Sequence, residues 1–166
     1  MANNTKSAND VLQEKAERVL DGIAYWASFY LSNPHRFVKD YLNINLKLFQ
    51  KILLYAMMSS TNFMLIASRG IGKTWLSALY CVVICILRPG TKIVACSGVK
   101  SQGVAIIEKI DKEFLKAYGW GSANLRNEIS FISTGVNNAG VEFKNGSFIK
   151  IVTSNSNARS NRANLI

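Results

Sequence analysis

NFMLIASRGIGKT, residues 62–74, runs directly into WLSALYCVVICIL, residues 75–87, and the reading of the whole chain turns on this stretch. FMLIAS is an unbroken apolar run of strand length. RGIGKT is a glycine-broken loop, and the uncharged segment after it is long enough for a helix before it ends at Arg88, Pro89 and Gly90. A loop that leaves a buried strand and enters a helix points successive backbone N–H groups inward. The positive end of the helix dipole adds to them, and together they cradle phosphate oxygens. Set against the pattern GxxxxGK[ST], Gly72, Lys73 and Thr74 are in register, while Ala67 stands where the first glycine would be. Gly70 and Gly72 let the backbone approach closely, Lys73 can reach the β and γ phosphates as a point charge, and the Thr74 hydroxyl can ligate Mg²⁺.

Outward from the loop, the same grammar repeats. TKIVACS (91–97) reads as a strand buried on both faces, and Val104 to Tyr118 reads as an amphipathic helix, so parallel strands joined by helices are expected. Upstream, Ser7 to Leu31 carries apolar residues at helical spacing, with Ser7 or Asn9 as cap. Ser32, Asn33 and Pro34 break it, and a second helix runs from about Leu46 to Met58. Downstream of Gly121 come the short segments EISFIS, VEFK and SFIKIVT, the last two joined by Asn145 and Gly146, a hairpin signal because both residues tolerate positive φ. A polar run, SNSNARSNRAN, precedes Asn164, Leu165 and Ile166, which read as the opening of another buried strand. The predicted class is α/β: a mostly parallel sheet flanked by helices. Residues 1–58 form a helical amino-terminal segment and residues 59–166 the core with the loop.

The chain has 166 residues, 49% of them hydrophobic and 18% charged, which fits one domain with a sizeable core. Lys and Arg number 20 against 10 Asp and Glu, and the net charge of +10 favours a polyanionic partner. Cys81, Cys85 and Cys96 lack metal-site spacing and sit in apolar runs, so they read as reduced, buried thiols. MANNTKSAND has no signal-peptide pattern, and Trp75 to Leu87 is too short for the roughly 20 residues of a spanning helix. No membrane partner is expected.

Arg69 is the second notable residue of the loop. Its guanidinium could stabilise charge on a transferred phosphoryl group, report nucleotide state to a neighbouring subunit, or be a plain surface arginine. Two cations as close as Arg69 and Lys73 repel unless an anion lies between them. Lys100, Ser101 and Gln102, after a strand and at a helix start, read either as contacts to DNA phosphates or as a helix cap with a solvated lysine. Arg159 and Arg162 read as phosphate sensors, DNA contacts or solvated loop residues. The rings of Trp75 and Trp120 are assigned to packing. His35 has no partner of metal-ligand spacing and is assigned no role.

Taken together, the chain resembles the large terminase subunit of tailed bacteriophages, the motor that packages DNA into capsids, over about Asn33 to Ile166. That family's phosphate loop replaces its first glycine and carries an arginine, as SRGIGKT does here. Phe49 and Gln50 in LKLFQKILL match its adenine-recognising glutamine, TKIVACSGVKSQG its next coupling motif, and NGSFIKIVTSNSNARSNRANLI the approach to its Walker B strand. The resemblance implies a P-loop NTPase fold of the RecA-like (ASCE) kind and the cofactors ATP and Mg²⁺. Nucleotide contacts would come from Gln50, Ser68, Arg69, Gly70, Ile71, Gly72, Lys73, Thr74 and Trp75; Lys73 and Arg69 would be catalytic and Thr74 the Mg²⁺ ligand. It also implies double-stranded DNA, a terminase small subunit and a portal protein as partners, a homo-oligomeric ring, and the host cytoplasm. The family's Asp–Glu pair beyond ANLI and its nuclease domain are not in this sequence, which therefore reads as an amino-terminal, truncated part that binds ATP, hydrolyses it poorly and is marginally stable alone. The alternatives are another P-loop DNA translocase or helicase-like ATPase, and a non-catalytic basic DNA-binding prophage remnant.

Overall fold

The helix α1 (Ala8–Ser32) ends where Pro34 begins the next, α2 (Pro34–Asp40), because proline's missing N–H costs nothing in a first helical turn. The expected helix break is thus also a helix start. The backbone N–H and the side-chain amide of Asn33 both donate to the Phe29 carbonyl, closing the end of α1. The second expected helix is α3 (Leu48–Ser59), and the apolar segment after the glycine loop is α4 (Lys73–Leu87). Then follow β1 (Lys92–Ser97), α5 (Lys100–Lys109) with a π-helical turn at Ile110–Leu115, α6 (Trp120–Glu128), β2 (Ile129–Ser133), β3 (Gly140–Phe143) and β4 (Phe148–Thr153). This computed structural model describes residues 8–116, 119–135, 138–153 and 163. Ser7, Arg159, Arg162 and the segment Asn164 to Ile166, each given a role above, lie outside the described residues.

The molecule is mixed α/β, but the sheet corrects the expectation of a mostly parallel one. Its order is β1-β4-β3-β2; β1 and β4 are parallel, whereas β4 with β3 and β3 with β2 are antiparallel. The difference lies in FMLIAS. Residues 63–68 join no strand among the described residues, although their burial alternates as a strand's does: Leu65 and Ala67 are half-buried while Met64 and Ile66 are 84% and 89% exposed. A strand needs a neighbour for its N–H and C=O groups. The edge strand β1 is separated from this segment by a cavity of about 490 Å³, lined on one side by Phe63 and Met64 and on the other by Ile93, Val94 and Ala95. The apolar run is therefore covered on one face only.

Helix α5 lies over β1, β3 and β4, where Gly103 allows a close approach: a Cβ there would stand 2.4 Å from Ile151 Cγ2. Helices α2 and α3 pack on α4, and one continuous core joins Phe37, Val38 and Leu54 to Leu79, Val82 and Val83 of α4 and to Ile107, Val141 and Ile149. Of the cysteines, Cys81 and Cys85 are buried as expected, with burial pushing the Cys81 thiol up to about 12, but Cys96, near the end of β1, is exposed. Trp120, expected in the packing, is 51% exposed at the start of α6.

The β3–β4 turn is tied to the end of α4. Of its two residues, Gly146 takes positive φ (82°) and Asn145 does not. The Asn145 side-chain amide donates to the Cys85 carbonyl (2.8 Å). The Ser147 hydroxyl, 1% exposed, accepts from the Thr91 N–H and donates to the Cys85 carbonyl, both at 3.0 Å. Ser147→Ala leaves the buried Thr91 N–H unpaired, while the Cys85 carbonyl keeps its bond from Asn145, and is expected to lower stability by about 1–3 kcal/mol. Urea unfolding measures it; a loss below about 0.5 kcal/mol would show the hydroxyl to be dispensable.

Candidate phosphate-binding loop

The loop between Ala67 and Thr74 turns sharply through two left-handed glycines. Gly70 has φ 91° and Gly72, the residue that caps α4, has φ 88°. A Cβ at either would meet no atom within 4 Å, so backbone conformation and not crowding selects glycine there. Gly72 ends the loop in the orientation that starts α4, and the first intrahelical bond runs from the Leu76 N–H to the Gly72 carbonyl at 2.9 Å. The N–H groups of the first turn, those of Lys73, Thr74 and Trp75, have no carbonyl four residues back inside the helix.

Lys73 is half-buried and folds back into the loop. Its ammonium donates to the carbonyls of Ala67 and Ser68, each at 2.6 Å. Those two carbonyls solvate the charge and draw the loop around it. The hydroxyl of Thr74 is exposed in the first turn of α4. Arg69 is exposed and makes no hydrogen bond or ion pair with any described residue. Ser68 and Ile71 are exposed as well. The Trp75 ring is half-buried and stands edge-on to Phe114, with centroids 5.5 Å apart and planes at 73°. The first turn of α4 is thereby packed on the π-helical turn.

Distant sequence positions meet the loop. Phe49, Gln50 and Leu53 of α3 share one small cavity with Leu65, Ala67, Ile71, Gly72, Lys73 and Leu76. Gln50 also caps its own helix, its Oε1 accepting from the Lys47 N–H at 2.9 Å, which leaves the side-chain NH₂ free to donate elsewhere. The cavity measures about 40 Å³, room for little more than a water. A triphosphate does not fit this volume, and to meet one Lys73 would have to leave the two carbonyls. The donor set fits such an anion: an ammonium, the free N–H groups of a helix start and an unpaired guanidinium on one turn. Among the described residues no group of three or more His, Cys, Asp or Glu side chains could hold a metal, so a cation here would be held by Thr74 and by the phosphates it accompanies.

Elsewhere, α5 begins at Lys100 with Val99 as its capping residue, and Ser101 and Gln102 are exposed; the Ser97 hydroxyl, not that of Ser101, bonds within this turn, to the Val99 carbonyl at 2.8 Å. Sequence reading missed the carbonyls that hold Lys73, which carry no side-chain signal, and the grouping of His35 with basic residues of two helices. Among the described residues no helix is long and apolar enough to cross a membrane. Neither the models of known protein families nor the curated proteins include a match to this chain, so the reading of the loop rests on its own residues and geometry.

Proposed function

We propose that the Ala67–Thr74 loop binds the phosphates of ATP with Mg²⁺, and that the chain is the ATP-binding part of a phage DNA-packaging terminase large subunit. What carries the reading is the convergence of Phe49 and Gln50 on the same cavity as Lys73, about two dozen residues along the chain and on a different helix. A glycine turn with a solvated lysine gives no reason for that meeting. A nucleotide site needs it, with the base near Gln50 and the phosphates at the start of α4.

In this reading the helix-start N–H groups and Lys73 bind the phosphates, and Thr74 holds the Mg²⁺ that comes with them. The unpaired Arg69 screens charge on the terminal phosphate, and the Gln50 NH₂ donates to a ring nitrogen of adenine. Bound Mg²⁺ would neutralise phosphate charge. The net charge of +10 fits a DNA partner.

Calorimetric titration of the full chain tests this. MgATP is expected to bind with Kd under about 1 mM and to be preferred over MgGTP by about fivefold, a preference that Gln50→Ala removes, since one hydrogen bond to the base contributes on the order of 1 kcal/mol. No heat at millimolar MgATP overturns the reading. Salt-sensitive DNA binding without any nucleotide affinity would replace it with that of a non-catalytic basic module.

A further inference from the structure

Helix α2 and the start of α3 enclose another cavity, about 330 Å³, lined by His35, Arg36, Lys39, Asn45, Leu46 and Lys51. Its wall is basic and contains no carboxylate. Arg36 and Lys39 are three residues apart, hence on one face of α2, and Lys51 reaches in from α3, which packs against it. All three are exposed, and none makes an ion pair with any described residue. Another basic stretch of the surface is neutralised by its own carboxylates. On α5 and the π-helical turn, Lys112 and Lys116 pair with Glu108 and Asp111 at 3.1 and 2.8 Å, and Lys109 pairs with Glu113.

The half-buried His35 responds to the resulting field. Burial, and then the charges of Lys51 and Arg36, hold its imidazole below the usual range, against a smaller opposite pull from Asp40. Like charges grouped around a concavity repel one another until an anion enters. Arg36 can offer a planar fork, Lys39 and Lys51 point charges and Asn45 an amide, while the buried Leu46 shapes the wall. A phosphate group matches this set.

We propose that the α2–α3 cavity is a phosphate-binding site separate from the glycine loop, occupied by a phosphate of a nucleic-acid backbone or by a free polyphosphate. Gln50 and Lys51 are successive residues of α3, so the helix contributes one to each cavity.

The experiment uses the full chain carrying Lys73→Ala, which removes the loop's own ammonium whether or not that loop binds nucleotide. Tripolyphosphate and a short DNA duplex are titrated into this protein and into the same protein with Arg36→Ala, Lys39→Ala and Lys51→Ala added. Removing mutually repelling, exposed charges should not lower the melting temperature, and a melt of each variant checks this. Tripolyphosphate affinity is expected to fall at least about tenfold. If duplex affinity falls with it, and the slope of log affinity against log salt drops by about 2 to 3, the backbone is the occupant. If only tripolyphosphate is affected, a free polyphosphate is. Equal affinities for both probes in the two proteins overturn the proposal, whatever the outcome for ATP at the loop.

Discussion

Lys73→Ala is expected to weaken MgATP binding by about 100-fold or more while leaving the melting temperature nearly unchanged. The ammonium makes two short bonds, to the Ala67 and Ser68 carbonyls, and under the proposed function these are the partners it would give up to a triphosphate. The exchange is favourable because phosphate oxygens carry formal charge and carbonyls do not. Charge-assisted hydrogen bonds contribute about 1.5–3 kcal/mol each, so losing one or two of them costs roughly 3 kcal/mol, the equivalent of about 100-fold. Stability should move little because the loop is mostly exposed and its two carbonyls can turn to water. Calorimetry with the wild-type chain and with Lys73→Ala and Lys73→Arg separates the contributions. Arginine keeps the charge but cannot fit a fork into a pocket drawn around one nitrogen, so an intermediate loss is expected. Affinity of Lys73→Ala within threefold of wild type would show that the ammonium does not face the ligand.

Gly121→Ala should lower stability by about 3 kcal/mol, a drop in melting temperature of roughly 6–12 °C for a chain of this size. An added Cβ at Gly121 would stand 1.9 Å from the Leu42 carbonyl oxygen and 2.3 Å from its carbon. Both are backbone atoms, which cannot swing aside, so α6 would have to lift from the segment between α2 and α3. That movement would strain two further ties. The Tyr41 hydroxyl donates to Glu128 at 2.5 Å, and the Asn124 amide donates to the Tyr41 carbonyl at 2.9 Å. Gly22 provides the control. It lies within α1 with nothing within 4 Å of its Cβ position, and Gly22→Ala should be stabilising by about 0.5–1 kcal/mol through helix propensity. A Gly121→Ala protein that melts within about 2 °C of wild type would mean that α6 does not sit on Leu42.

The two glycines illustrate what is legible in a sequence and what is not. Gly72 is readable because its role is local: a left-handed residue before Lys73 is what turns a loop into the start of α4. Nothing near Gly121 signals that it touches Leu42, nearly eighty residues earlier. Helix α6 itself went unread, since the stretch from Trp120 to Glu128 has a short, weak apolar face and its helical state comes from packing on the π-helical turn and on β2.

Local chemistry settled much in advance: the long helices from their apolar spacing, the sharp turn at Gly70 and Gly72, the β3–β4 hairpin at Asn145 and Gly146, and the charge of +10. These depend on neighbours a few residues apart, and side-chain periodicity encodes such neighbours directly. Tertiary structure alone decided which strands pair, for FMLIAS has the composition of a strand but, among the described residues, no adjacent partner to receive its hydrogen bonds. It alone brought Gln50 to Lys73, and Lys51 to Arg36 and Lys39, because contacts between helices follow from how the core closes, and no single segment carries that information.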